Sequence, residues 1–195
     1  MGSLHSSPLS ALISDLQKHL SLRSFVETGT FRGDGAAFAA SVFADVHTIE
    51  IRQDFHDKAS ERLAPLGVTQ HLGDSRTVLP KVAAQLGNSA LFWLDGHAGG
   101  GYFGDADDCP LIEELQAIAQ SDHEHVILVD DARAFVAPPP PPFKAQAWPT
   151  LIEVIDAARA RVAYDCVIIC DALIFTPPTA RDVVGAFVHR VRPKI

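Results

Sequence analysis

The sequence contains little cysteine and no long apolar run. Its three cysteines form neither an even framework nor a C-x-x-C pair. Cys166 and Cys170 share a strand-like run, in which they would lie about 13 Å apart, too far for a disulfide. A reducing, cytoplasmic setting is therefore expected. No apolar stretch reaches the roughly 18 residues of a membrane helix. The first residues also lack a signal-peptide pattern, so no membrane partner is expected.

Basic residues are also scarce. The chain has 16 Lys and Arg against 24 Asp and Glu, which gives a net charge of −8. Because no basic stripe is visible, binding to a nucleic-acid backbone is not expected. The length of 195 residues and the hydrophobic content of 47% predict one soluble globular domain, residues 1–195. Residues 1–7 are expected to be disordered, and residues 177–195 to form a C-terminal tail.

Apolar runs alternate with helical patterns along the chain. Two of the runs, Ala90–Leu94 and Val126–Val129, are continuously apolar, as strands covered on both faces should be. This alternation predicts an α/β, doubly wound, Rossmann-like sheet that is mainly parallel. Seven strands are predicted: Phe25–Glu27, Val46–Ile51, Thr69–Leu72, Ala90–Leu94, Val126–Val129, Cys166–Cys170 and Leu173–Phe175.

The last two predicted strands are separated only by Asp171 and Ala172. Two residues suffice for a hairpin but not for a parallel crossover, so the sheet should end in an antiparallel hairpin. A long loop is predicted over Arg133–Ala147, and it contains the polyproline stretch Pro138–Pro142. Six helices are predicted: Pro8–Leu20, Ala36–Phe43, Asp54–Leu63, Ser75–Leu86, Pro110–Ala119 and Pro149–Arg161.

The most informative stretch is the glycine loop after the first predicted strand. A dinucleotide fingerprint G-x-G-x-x-G that starts at Gly29 would need glycine at position 31, where this chain has Phe31. The phosphate-binding G-x-x-x-x-G-K-[ST] motif is absent as well. What is present is E-x-G-x-x-x-G, from Glu27 to Gly33, a pattern found in proteins that bind S-adenosylmethionine (SAM). An ordinary strand-to-helix turn is the alternative interpretation.

The segment Val26–Gly33 resembles the loop of the macrocin and mycinamicin sugar O-methyltransferases, which are class I SAM-dependent methyltransferases. The resemblance implies that SAM is the cofactor and that the loop backbone lines its methionine and ribose. It also implies that Glu27 orders the loop and favours the methionine ammonium group, and that Glu50 accepts both ribose hydroxyls. The implied cofactor-binding residues are Glu27, Thr28, Gly29, Thr30, Gly33, Glu50, Ile51, Asp74, Ser75 and Asp95.

An acidic residue stands at or just after the end of each of the first five predicted strands. Ligands of this fold bind at the carboxyl ends of the strands, so these acids are candidates for a site. Some could instead be helix N-caps, with Asp74 or Ser75 as the clearest case. In the resemblance, Asp74 accepts from the adenine amino group. The acids are Glu27, Glu50, Asp74, Asp95 and the pair Asp130 and Asp131.

Asp95, Asp130 and Asp131 should lie close together, because they end neighbouring strands of a parallel sheet. Three carboxylates there would repel one another unless a cation lies between them, and oxygen ligands favour Mg²⁺, Ca²⁺ or Mn²⁺. The segments around these acids resemble two motifs of metal-dependent sugar O-methyltransferases, in which the metal chelates hydroxyl groups of the acceptor. In the alternative, Asp130 caps a loop and Asp131 points to water.

His97 follows Asp95 by two residues. Its ordinary pKa suits a general base at neutral pH, so Asp95 and His97 are the candidate catalytic residues. A metal ligand or a surface histidine are the other interpretations. The glycine-rich, acidic segment 98–109 could be a lid or a calcium loop, and His97 with Cys109 could suggest zinc. His123 and His125 lie at the start of the fifth strand, away from the site, and are expected to be structural.

These observations predict a SAM-dependent methyltransferase that methylates an oxygen of a small hydroxylated acceptor with assistance from Mg²⁺ or another hard divalent cation. The alternatives are a metal-independent N- or carboxyl-methyltransferase and a catalytically silent protein that binds SAM or a nucleoside. A Rossmann-type oxidoreductase is disfavoured by Phe31. Only one helix precedes the first strand, fewer elements than the macrolide-sugar enzymes carry, so the acceptor and the role of the metal stay open. A homo-oligomer is also left open.

Overall fold

The computed structural model describes Leu4, residues 7–98 and residues 109–191. In that part of the chain, seven strands form one sheet in the order β3-β2-β1-β4-β5-β7-β6. The strands are β1 Ser24–Thr28, β2 Asp45–Glu50, β3 Thr69–Leu72, β4 Ala90–Leu94, β5 Val126–Val129, β6 Asp165–Ile169 and β7 Ala172–Thr176. The predicted fold class is confirmed, and each predicted strand is present with ends within two residues of those expected.

The strand pairing explains where a site can form. β1 pairs in parallel with both β2 and β4, β2 pairs in parallel with β3, and β4 with β5, whereas β7 runs antiparallel to both β5 and β6. The chain order therefore reverses between β1 and β4, which is where open α/β sheets bind ligands. Thr28 lies beside Leu94, and Leu94 beside Val129. The residues that follow these three positions therefore emerge side by side at what we call the carboxyl edge of the sheet.

Helices cover both faces of the sheet, and their bounds follow from the periodicity of apolar residues. The first helix buries Leu9, Leu12, Ile13 and Leu16 at helical spacing. The seventh begins after Thr150, whose hydroxyl accepts from the Glu153 amide while the Glu153 carboxylate accepts from the Thr150 amide. The helices are α1 Leu9–Leu20, α2 Asp34–Ala39, α3 Gln53–Leu63, α4 Ser75–Gln85, α5 Leu111–Ile118, α6 Arg133–Val136, α7 Leu151–Ala158 and α8 Arg181–Arg190.

Two hydrophobic clusters lie on opposite faces of the sheet. Phe25 belongs to the cluster under α1, α2, α3 and α8, and its neighbour Val26 belongs to the cluster under α4, α5 and α7. Neighbouring residues of a strand point to opposite faces, so a sheet buried on both faces consists of continuous apolar runs. Every residue of β1, β4, β5 and β7 is buried.

Two predictions for connecting segments were wrong. Residues 177–195 were predicted as a tail, but they contain α8, which buries Val184 and Phe187 against the core and packs on α1. The predicted loop over Arg133–Ala147 contains the short helix α6. The predicted disordered start lies mostly outside the described residues, and Leu4 within it is buried. No helix in the described ranges is long and apolar enough to cross a bilayer.

Candidate functional site

The glycine loop makes a tight turn at the carboxyl edge. Gly29 has φ +84, and a Cβ there would lie only 2.2 Å from the backbone oxygen of Asp95, so no other residue fits without a shift of the chain. The Gly29 amide donates to the Ile49 carbonyl at 2.9 Å, and the Thr30 amide donates to the same oxygen at 3.3 Å. Gly33, with φ 74, is the N-cap of α2. The loop is thus fixed between the ends of β2 and β4.

Glu27 is a buried carboxyl under this loop. The Thr48 hydroxyl lies 2.7 Å from its Oε2, and the Thr30 hydroxyl lies 2.6 Å from that of Thr48. Burial, with the nearby charges of Asp95 and Glu50 adding to it, raises the pKa of Glu27 to about 8 despite the Thr48 hydrogen bond. Because Glu27 is then mostly neutral at pH 7, it orders the loop through hydrogen bonds rather than through its charge. Its predicted attraction for an ammonium group stays a prediction.

Glu50 ends β2 with its carboxylate directed at the loop. Its Oε2 accepts from the Phe31 amide at 2.8 Å and its Oε1 from the Arg52 amide at 2.9 Å. Phe31 has a left-handed φ of 48, and its ring packs edge-on against Phe55 with the centroids 4.8 Å apart. The ring therefore lies against α3. Ile51, the next residue, is 42% exposed and offers an apolar surface at the same edge.

Asp74 and Ser75 begin α4. The Asp74 carboxylate accepts from the Arg76 amide at 2.9 Å, so it is the helix N-cap that the sequence offered as the alternative. Ser75 is buried. The predicted contact of Asp74 with adenine stays a prediction, and one carboxylate oxygen is already used in the cap.

Glu114 on α5 is a buried acid at this edge that the sequence analysis missed. It is 1% exposed. Burial raises its pKa, although the nearby Ser75 and Thr28 hydroxyls oppose that shift. Within the described ranges, neither its Oε1 nor the Thr28 hydroxyl has a hydrogen-bond partner, and both lie 3.1 Å from where a Cβ on Gly96 would stand. The sequence does contain a sign of this burial, because the helical spacing places Glu114 on the same apolar face as Leu115 and other buried residues.

His97 lies between two carboxylates and an aromatic wall. Its Nε2 is 3.3 Å from Asp131 Oδ2 and 3.9 Å from Asp95 Oδ1, and its side chain is 3% exposed. The ring packs edge-on against Phe135 and Trp148, at centroid distances of 6.1 and 5.2 Å. Burial lowers the pKa of His97, but the Asp131 hydrogen bond and the surrounding carboxylates outweigh burial, so the pKa is raised.

The three aspartates respond to this arrangement differently. Burial raises the pKa of Asp95, and the other two carboxylates add to the effect while His97 opposes it. The side chain is nevertheless 38% exposed. Burial also raises the pKa of Asp130, whose Oδ1 accepts from the Asp131 amide at 2.8 Å. The hydrogen bond from His97 lowers the pKa of Asp131. The structure therefore brings together the predicted catalytic and metal-binding residues.

Each carboxylate oxygen of Asp131 already has a nitrogen partner. His97 lies at Oδ2, and Arg133 Nη2 lies 2.8 Å from Oδ1 in an ion pair without hydrogen-bond geometry. In the described ranges, no group of three His, Cys, Asp or Glu side chains converges on a position for a metal ion. The carboxylate chemistry suits Mg²⁺, but the residues as placed do not fit it, because His97 and Arg133 already lie against the two oxygens of Asp131.

The structure also bears on two other predictions from the sequence, one for His125 and one for the segment 98–109. His125 is structural, as predicted: its Nδ1 lies 3.1 Å from the Ala90 amide, and its own amide donates to the Tyr164 hydroxyl at 2.8 Å. The segment 98–109, predicted as a lid, a calcium loop or part of a zinc site, lies outside the described residues except for Ala98 and the buried Cys109.

No protein-family model matches the sequence, and no curated protein matches it significantly. Solved structures do match. The chain is 20% identical to the O-methyltransferase TomG of Streptomyces achromogenes, in complex with SAM, at a TM-score of 0.59 over 88% of this chain and 81% of that one. It is 15% identical to an S-adenosylhomocysteine (SAH)-bound O-methyltransferase of Bacillus cereus, at a TM-score of 0.61 over 87% and 81%.

An SAH-bound methyltransferase of Podospora anserina is similar as well, at 14% identity and a TM-score of 0.60 over 87% of this chain and 77% of that one. At these low identities, the TM-scores show a shared fold and no more. The chain has the Rossmann-like fold of class I SAM-dependent methyltransferases, with the sheet order and terminal hairpin described above.

Proposed function

We propose that the chain is a SAM-dependent methyltransferase that acts on a hydroxyl group of a small acceptor. The observation that carries this proposal is the pairing of two half-sites along the carboxyl edge. The glycine loop follows β1, and Glu50 is the last residue of β2. His97, held by Asp131, lies at the ends of β4 and β5. Under this proposal the donor site and the proton acceptor are neighbours in one fold, and solved proteins of this fold include O-methyltransferases with bound SAM or SAH.

The cofactor half-site suits adenosine and methionine in its chemistry. Glu50 keeps carboxylate lone pairs beyond its two backbone bonds, so ribose hydroxyls can donate to it. The loop from Thr28 through Gly29 and Thr30 to Gly33 supplies backbone close to the methionine. Ile51 gives an apolar surface for adenine, with Asp74 and Ser75 at its polar edge. Asp95 lies between this half-site and His97.

In the acceptor half-site, positioning supplies most of the rate. A hydroxyl oxygen held about 3–3.5 Å from the sulfonium methyl, in line with the C–S bond, attacks the methyl carbon as the C–S bond breaks and SAH leaves. The hydroxyl proton passes to Nδ1 of neutral His97, while the Nε2–H group of His97 keeps its hydrogen bond to Asp131. Asp131 thereby orients the ring and stabilises the imidazolium that forms.

Assistance by Mg²⁺ or another hard divalent cation on Asp95, Asp130 and Asp131 is the second candidate mechanism. Three carboxylates at neighbouring strand ends favour it. Such an ion would have to displace His97 or Arg133 from Asp131, so no step of the proposed reaction depends on it. If a metal is used, it would lower the pKa of the acceptor hydroxyl.

Calorimetry with SAM, SAH and NAD tests the cofactor. SAM and SAH should bind and NAD should not, because Phe31 occupies the place of a pyrophosphate-binding glycine. NAD binding without any response to SAM would refute the proposal and favour an oxidoreductase.

Turnover then separates an enzyme from a silent binding protein. SAM is incubated with a panel of catechols, sugars, amines and carboxylates, with EDTA in one series and Mg²⁺ in another. Methylation of a hydroxylated acceptor, equal in both series, supports the proposal. Loss of activity in EDTA and recovery with Mg²⁺ would establish the metal mechanism instead. Methylation of only an amine or a carboxylate would assign the metal-independent alternative.

A further inference from the structure

The turn between β6 and β7 has an unusual backbone. Cys170 and Asp171 have left-handed φ values of 51 and 64, and Asp131, at the end of β5, has a φ of 53. These three account for most of the non-glycine residues with positive φ in the described part of the chain, the others being Ser21 and Phe31. Consecutive left-handed residues are what a two-residue hairpin turn requires. The turn contacts the segment after β5, because the Asp171 carbonyl accepts from the Ala132 amide.

Asp171, in the turn before β7, holds the start of α6, which follows the neighbouring strand β5. Its carbonyl accepts from the Ala132 amide at 2.7 Å, and its Oδ1 accepts from the Arg133 amide at 3.0 Å. Its other carboxylate oxygen forms an ion pair with the Arg133 guanidinium. The first amides of a helix have no partners within the helix. Here one residue of another segment satisfies two of them.

Helix α6 in turn supplies contacts to His97. Arg133 lies against Asp131, which holds His97 Nε2 at 3.3 Å. Phe135 is 3% exposed, and its ring packs against those of both His97 and Trp148. The orientation of the imidazole thus depends on where α6 begins.

We propose that Asp171 is a positioning residue for His97, acting through Arg133 and Asp131. The proposal rests on the function proposed above, in which His97 accepts the proton. Asp171 itself does not reach the reacting atoms. Its carboxylate fixes the first turn of α6, and with it the side chain that orients the candidate base.

The same hairpin offers a matched control. Asp165, at the start of β6, forms two hydrogen bonds to Arg181, each 2.8 Å long. This exposed pair also ties the hairpin to a helix, but in the described ranges it forms no hydrogen bond or ion pair with α6. If Asp171 served only to stabilise the hairpin, Asp165→Asn and substitutions of Asp171 would have similar consequences.

Two variants test the role of the side chain. Asp171→Gly keeps the left-handed turn and the carbonyl that accepts from Ala132, and removes only the carboxylate. Asp171→Asn keeps an oxygen for the Arg133 amide and removes the charge, and it is the fallback if the glycine variant does not fold. The ring ¹⁵N shifts of His97 are measured in the SAH complex and assigned with His97→Asn. Steady-state kinetics are measured with the acceptor that the panel identifies.

In Asp171→Gly we expect kcat to fall about tenfold, since small misplacements of a reacting group are costly. The KM for SAM should not change, because Glu50 and the glycine loop are untouched. The His97 ring shifts should move towards those of a ring without its carboxylate partner. Asp171→Asn should be intermediate, and Asp165→Asn should match the wild type in both readouts.

Wild-type His97 shifts in a folded Asp171 variant would overturn the proposal, whatever the kinetics show. An equal loss of kcat in Asp165→Asn would also overturn it, because the effect would then be one of hairpin stability. If the wild type methylates nothing on the panel, the proposed function fails. Displaced His97 shifts in Asp171→Gly, with none in Asp165→Asn, would still establish the positioning role.

Discussion

Glu50 provides the sharpest test of the cofactor half-site. If both ribose hydroxyls donate to its carboxylate, Glu50→Ala removes two charge-assisted hydrogen bonds and weakens SAM binding by about 2–4 kcal/mol. That loss corresponds to roughly a 30- to 700-fold rise in Kd. The carboxylate also accepts from the Phe31 and Arg52 amides. The variant should therefore lose stability as well, by about 1–3 kcal/mol, since two partly buried amides lose their partner.

The assay is calorimetric titration of SAM, with urea unfolding of the same preparations to measure the free energy of unfolding. Asp54→Asn is the matched control, because the exposed Asp54 carboxylate pairs with the side chain of Arg52, the residue whose amide donates to Glu50. It should bind SAM like the wild type. A folded Glu50→Ala variant with unchanged SAM affinity would refute the placement of the ribose.

Three further predictions address the rest of the edge. Neutral His97 is the proposed base and its pKa is raised, so kcat should increase as the pH rises through that pKa. Asp131→Asn should move the midpoint of this increase to lower pH, and a pH–rate profile of both proteins checks the direction. Gly29→Ala should cost about 2–4 kcal/mol in urea unfolding, because its Cβ would clash with a strand end, whereas Gly67→Ala, at φ +71 in open space, should cost only about 1 kcal/mol. Glu114 has a raised pKa in the folded state, so its ionisation opposes folding above its unfolded pKa; Glu114→Gln should therefore increase the free energy of unfolding more at pH 8 than at pH 4, and equal changes at both pH values would contradict this.

Much of the sheet could be predicted because its signals are local. Fully buried strands consist of continuous apolar runs, and Asp171 and Ala172 leave room only for a hairpin. Helix α8 was missed because Gly185 and exposed charges dilute its apolar face, although Phe187 is buried. Helix α6 was missed because it is short and its first amides are satisfied from the β6–β7 turn, which sequence spacing does not reveal.

The candidate site was predictable only in outline. The acids do meet at the carboxyl edge, because parallel strands end there together. The balance of charge between them was not predictable, because it depends on His97 turning inward and on Arg133 meeting Asp131. Glu114 enters the site from a helix, so a search for acids at strand ends could not find it. Asp74 shows that a residue at a strand end can instead serve as the N-cap of the next helix.

Gly35, in α2, depends on a residue of another element. Its backbone does not require glycine through a left-handed φ, yet a Cβ there would lie 2.0 Å from Glu27 Oε1. The Glu27 carboxyl therefore favours glycine at position 35. The two positions should show epistasis: Gly35→Ala alone should push the buried Glu27 carboxyl out of its place beside the Thr48 hydroxyl and so destabilise the protein, whereas it should be tolerated once Glu27 has been shortened to alanine. A variant library of this protein would accept larger residues at position 35 only along the mutational route that first replaces the acid.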